Sequence, residues 1–89
     1  MKFIWKKNKN SFLKKQRGIS FELICDKIIK QKYLDIIRNP NYENQEIFVF
    51  KIENYIWAVP FEESSPGTIE LKTAYKSRKL NKLYGGEYE

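Results

Sequence analysis

Residues 47–61 read IFVFKIENYIWAVPF, and this stretch decides the fold. Residues 47–52 alternate as a strand, with Phe48, Phe50 and Ile52 on one face and Ile47 and Val49 on the other. Glu53-Asn54 follows as a two-residue connection, and asparagine tolerates the positive φ that a tight hairpin needs. Residues 55–61 return antiparallel, with Tyr55, Trp57, Val59 and Phe61 together on one face. A strand that is apolar on both faces needs cover on both sides. For the second face, the closing helix and another chain are both open as the cover.

Working outward, residues 33–38 alternate with Leu34 and Ile36 on one side, until Asn39-Pro40-Asn41 breaks the pattern. Past the hairpin, residues 64–67 (Ser-Ser-Pro-Gly) make a turn. Residues 69–75 then alternate, with Ile69, Leu71, Thr73 and Tyr75 opposite Glu70, Lys72, Ala74 and Lys76. Ahead of this meander, residues 9–16 read as a short helix with Phe12 and Leu13 inward, stopped by a left-handed Gly18. Ser20 is a suitable N-cap for a second helix, with Glu22 in its first turn. Phe21, Ile24, Cys25, Ile28 and Ile29 form its buried stripe. Residues 3–5 fit either a short strand or a docked extended segment. A short helix over residues 77–84, with Leu80, Leu83 and Tyr84 as apolar contacts, closes the domain, and Gly85-Gly86 releases an acidic tail. This order predicts one α+β domain over residues 1–89, with two N-terminal helices, a four-stranded antiparallel sheet and a short C-terminal helix. The helices are expected on one face of the sheet.

Composition narrows the function classes. At 89 residues, 42% of them apolar and 16% aromatic, the chain has one modest core and is too apolar for disorder. Its longest apolar run is residues 55–61, against the roughly twenty residues of a membrane-spanning helix. The N-terminus lacks an apolar signal region, so a cytoplasmic protein without membrane association is expected. There is no histidine, which removes Ser-His-Asp and Cys-His catalysis and nearly every zinc site. The lone Cys25 falls on an apolar stripe and reads as core packing. The glutamates at 43, 46, 53, 62, 63 and 70 lack the spacing of a calcium or magnesium loop and read as solubilising. No glycine-rich nucleotide-binding loop is present, so no metal and no cofactor are expected.

The net charge of +6 is unevenly spread. Residues 1–18 carry seven basic side chains and residues 72–84 five, with no acid in either run, whereas residues 39–71 hold six glutamates and only Lys51. Two readings stand: a solvated lysine-rich face, or, if the two ends meet, one basic surface for nucleic acid or an acidic protein. A cationic cluster can also help cut RNA. Attack by the 2′-hydroxyl needs an in-line geometry, a proton acceptor, and cations on the charge developing at phosphorus. A lysine crowded by other cations can act as a base without histidine. Arg17, Lys76 and Arg78 are the candidate catalytic cations, since an arginine fork holds two phosphate oxygens. Lys9, Lys14, Lys15, Lys72 and Lys79 are candidate RNA contacts, and Tyr75 and Tyr84 candidate stacking platforms.

The opening Lys2-Phe3-Ile4-Trp5, the segment Asn8-Lys9 with Phe12-Leu13-Lys14-Lys15, and Arg17-Gly18-Ile19-Ser20-Phe21-Glu22 resemble the start of BrnT-type toxins. Those chains carry a K-F-x-W segment, a helix ending in K-H-G, and a V/I-S-F-E helix start. Lys76-Ser77-Arg78-Lys79 falls where they have an A-R-K-A-T-like segment before the last helix. The resemblance covers nearly the whole chain in order and length, with short motifs. It implies a RelE-like ribonuclease fold, toxicity through RNA cleavage, and neutralisation by a cognate antitoxin protein of a type II toxin–antitoxin pair. DNA would be bound only through the antitoxin complex. This chain departs from the pattern at Gln16-Arg17-Gly18, which lacks the imidazole, and at Gln45-Glu46-Ile47-Phe48, where such chains have E-R-F. The segment Val59-Pro60-Phe61 differs as well. A non-catalytic module binding nucleic acid or protein through the same basic face is the alternative.

Overall fold

The computed structural model describes residues 1–85. In chain order its elements are β1 (Lys2–Ile4), α1 (Lys7–Arg17), α2 (Phe21–Ile29), β2 (Asp35–Arg38), β3 (Glu46–Ile52), β4 (Tyr55–Ser65), β5 (Thr68–Leu71), β6 (Tyr75–Lys76) and α3 (Arg78–Tyr84). The hairpin forms as its alternation requires. Phe48 pairs with Val59 and Phe50 with Trp57, and Glu53 and Asn54 both take positive φ, 50° and 68°. Gly18 ends α1 at φ 66°, and Ser20 Oγ accepts the Leu23 amide at 3.1 Å to cap α2.

The class is α+β, but the sheet is larger than expected and mixed. Among the described residues it has six strands in the order β1-β5-β4-β3-β2, with β6 also on β4. Residues 2–4 are a strand and pair with β5 in parallel, so the N-terminus forms one edge. The expected continuous strand over residues 69–75 is broken. Phe61 pairs with Leu71 and Ala58 with Tyr75, so three steps along β4 face four steps along the other chain. Pro60 accounts for the break. Its carbonyl accepts the Lys72 amide at 2.9 Å, but proline has no N–H to return the second bond of the pair. The ladder opens there and admits one extra residue, a bulge that reverses which side chains face the core. Ala74 is therefore fully buried, and Lys76 stands beside Trp57 on the same face.

The helices lie on both faces, not one. Leu13, Phe21, Ile24 and Ile28 pack with Phe48, Phe50, Trp57, Val59 and Phe61 on the first face. Leu80 of α3 covers Ile47, Val49, Ile56 and Ala58 on the second. The closing helix thus supplies the cover that the doubly apolar β3 demands. Asn81 Oδ1 accepts the Ile56 amide at 3.1 Å and Ser77 caps α3 at the Leu80 amide, which fix its position. Three residues expected inward are out. Phe12 is exposed because Asn10 and Leu13, three apart, define the buried side of α1. Ile29, in the last turn of α2, and Leu83 are exposed as well. Of the expected Gly85-Gly86 tail, residues 86–89 lie outside the described residues.

Candidate nucleic-acid interface

The two basic runs meet at the end of α1. Arg17 Nη1 donates to the Ala74 carbonyl at 2.6 Å, and the guanidinium carbon lies 5.2 Å from the Phe12 ring centroid. Phe12, exposed and five residues earlier, thus serves as a shelf for Arg17. The guanidinium has five N–H donors, so one bond to Ala74 leaves the fork largely available. The bulge puts Lys76 on the Trp57 face. Its ammonium lies 5.6 Å from the Tyr55 ring centroid and 5.9 Å from that of Trp57. Gln16, Arg17, Trp57, Tyr75 and Lys76 line one open groove of about 440 Å³. An arginine fork, an ammonium and the exposed Tyr75 ring in one groove are the parts that hold a phosphate and stack a base.

Tyr75 is shared with a neighbouring cleft of about 350 Å³, whose lining includes Lys6, Lys9, Asn41 and Tyr42. The cleft and the groove thus share Tyr75 and draw on opposite ends of α1, Lys6 and Lys9 in one and Gln16 and Arg17 in the other.

The other candidate residues are distributed differently. Lys72 lines the same cleft as Lys9 but bonds Glu70 at 3.1 Å and lies 3.6 Å from Glu62. The hydrogen bond to Glu70 holds its ammonium above the ordinary lysine range, so Lys72 stays charged and is no proton acceptor. Lys14 stands 3.9 Å from Glu22, with both groups exposed. Lys15 is exposed and makes no hydrogen bond or ion pair among the described residues. Arg78 and Lys79 are exposed in the first turn of α3, on the helix that covers the second face, and neither lines the groove. Tyr84 packs against the second-face cluster and its hydroxyl donates to Asp35 Oδ2 at 2.7 Å, a bond that raises its pKa. That bond ties α3 to β2.

Several contributors carried no signal in the sequence. Gln16 and Trp57 line the groove, and Phe12 and Tyr55 support its cations from beneath, through the bulge and the Arg17–Ala74 bond. Asn10 is buried, accepts the Phe21 amide at Oδ1 (2.8 Å) and donates to Glu22 Oε1 (2.9 Å). It locks α1 to the first turn of α2, and its bond is the main reason the Glu22 carboxyl titrates below its ordinary range. Cys25 packs against the core, and burial pushes its thiol up to about 11. Among the described residues, no three His, Cys, Asp or Glu side chains gather to hold a metal, and no helix is long and apolar enough to cross a membrane. Comparison of the chain with protein-family models, with curated proteins and with solved structures gives no match.

Proposed function

We propose that the groove between the end of α1 and β6 holds single-stranded RNA, and that the chain acts as a ribonuclease toxin of a type II toxin–antitoxin pair. The observation that carries this reading is the convergence of Arg17, from the end of α1, with the neighbouring Tyr75 and Lys76 of β6 on one open groove. The resemblance of the N-terminal segments to BrnT-type toxins, and with it a RelE-like fold and an antitoxin partner, supports the same reading. In the reaction, the 2′-oxygen of the RNA bonds to the adjacent phosphorus as the bond from phosphorus to the 5′-oxygen breaks. The proton of the 2′-hydroxyl passes to solvent, and solvent protonates the leaving oxygen. Arg17 and Lys76 lie where cations would hold the phosphate and offset the charge that grows on it. Tyr75 would stack on a flanking base and help bend the strand.

A second reading, in which the groove binds RNA without cutting it, is favoured by one observation. Lys72, a lysine of the neighbouring cleft, is held charged by Glu70 and Glu62, and the chain has no histidine to accept the proton. The test incubates the purified protein with end-labelled RNA and with the same strand carrying 2′-deoxy substitutions, in the presence of a chelator. Cleavage is expected only where a 2′-hydroxyl is present, leaving 2′,3′-cyclic phosphate ends. RNA bound but intact assigns the second reading, and RNA neither bound nor cut overturns both.

A further inference from the structure

The cleft on the far side of Tyr75 is built differently from the groove. Its volume of about 350 Å³ falls in the range of small-ligand sites. One wall is the loop between β2 and β3, which is braced across its base, and the facing wall includes Pro60 and the paired Glu70 and Lys72. The Asn39 amide donates to the Gln45 carbonyl and the Asn39 side chain to Gln45 Oε1, both at 3.1 Å. The Asn41 amide bonds Asn39 Oδ1 at 3.0 Å, and the Gln45 amide bonds the Tyr42 carbonyl at 3.1 Å. These bonds fix the loop before any ligand arrives, which removes an ordering cost on binding. They present two groups that have no structural duty. The Asn41 side-chain amide makes no hydrogen bond among the described residues, and the Tyr42 ring is 60% exposed.

We propose that this cleft is a subsite for one unpaired adenine of the bound RNA strand, read by the Asn41 side-chain amide beside the rings of Tyr42 and Tyr75. The inference rests on the reading of the groove as an RNA site. A carboxamide offers one donor and one acceptor on a planar edge, which matches the amino group and ring nitrogen that adenine presents on both its Watson–Crick and Hoogsteen edges, whereas cytosine presents that pair on one edge only and uracil has no amino group. Single-stranded RNA can present that edge because its bases are not committed to a partner. The tyrosine rings add stacking area that any base can use, so they raise affinity while the amide sets preference. Lys6 and Lys9, at the start of α1, line the same cleft and suit the phosphate flanking that base. Tyr75 belongs to both sites, so the adenine would sit next to the nucleotide whose phosphate meets Arg17 and Lys76.

The test measures fluorescence anisotropy with short oligo(A), oligo(C) and oligo(U), about eight nucleotides long, using wild type, Asn41→Ala and Tyr42→Ala. Thermal melting of each variant checks its fold. Wild type is expected to bind oligo(A) about 5- to 150-fold more tightly than the other two, the span of one good bidentate contact. Asn41→Ala is expected to level the three affinities, and Tyr42→Ala to weaken all three together. Equal binding of all three by wild type, a preference for another base, or a preference that survives Asn41→Ala overturns the adenine subsite while the RNA groove stands. No binding of any RNA overturns the subsite and the groove together.

Discussion

Arg17 is both a groove residue and a structural one, and the two roles make its substitution the most informative. Replacing Arg17 with alanine deletes the 2.6 Å bond to the Ala74 carbonyl and the contact with the Phe12 ring. An exposed side-chain hydrogen bond is worth about 1 kcal/mol net, and an exposed cation–π contact about 0.5–1 kcal/mol. Together they make about 1.5–2 kcal/mol, or roughly 6–16 °C in Tm for a domain of this size. The loss should appear in thermal melts followed by circular dichroism. Arg17→Lys retains a donor for Ala74 and a charge over the ring, and is expected to recover most of the Tm. It should not recover the proposed RNA cleavage in full, because an ammonium cannot replace the planar fork at phosphate. Loss of a cation from the transition state costs about 10²–10³ in rate. Phe12→Ala removes only the ring, so it should cost about 0.5–1 kcal/mol of stability and leave the guanidinium anchored at Ala74. If Arg17→Ala melts within about 1 °C of wild type, the bond to Ala74 contributes nothing in solution, and the coupling of the two basic runs through it is refuted.

Asn10→Ala strands the buried Phe21 amide, and should cost about 1–3 kcal/mol, read from urea melts. The same variant should raise the Glu22 carboxyl back towards its ordinary range, since the bond from Asn10 is what chiefly lowers it, and NMR titration of Glu22 checks this. In wild type the Glu22 contribution is present above the ordinary glutamate range and is lost as pH falls through its depressed folded value. Cys25, with a thiol near 11 rather than the ordinary 9.0, should alkylate at neutral pH about a hundredfold more slowly than an unfolded-chain thiol, judged by mass spectrometry with and without urea. Tyr84 has a raised folded pKa, so its tie to Asp35 stabilises below the ordinary tyrosine range and fades as pH rises through that folded value. The stability advantage of wild type over Tyr84→Phe should therefore be full below the ordinary tyrosine range and vanish as pH rises through the raised folded value, followed by urea melts.

The sequence showed what short-range chemistry governs. The Glu53-Asn54 turn, the Gly18 stop, the Ser20 cap and the Phe21, Ile24, Ile28 stripe each depend on residues within one turn or one hairpin, and each forms as expected. What stayed hidden depends on pairing between distant segments. The parallel seating of β1 on β5 joins residues more than sixty positions apart, and periodicity over three residues cannot announce it. Pro60 was visible, but its consequence was not. Its missing N–H acts on the opposite strand at residues 72–74, which the alternation of residues 69–75 does not register. That single slip changes the site, because it carries Lys76 to the Trp57 face and buries Ala74 where its carbonyl can accept from Arg17. Net charge marked the two basic runs, but not which members would meet. Arg17, Lys76 and Tyr75 come together, whereas Lys72 is paired with glutamates and Arg78 and Lys79 leave with α3.

Whether RNA lies in the groove between α1 and β6 is decided by an NMR titration of the ¹⁵N-labelled protein with a short single-stranded RNA. The account predicts saturable amide shifts clustered at Gln16, Arg17, Trp57, Tyr75 and Lys76, with the α3 residues Arg78 and Lys79 unmoved. Shifts spread over every lysine, or centred on α3, would contradict it.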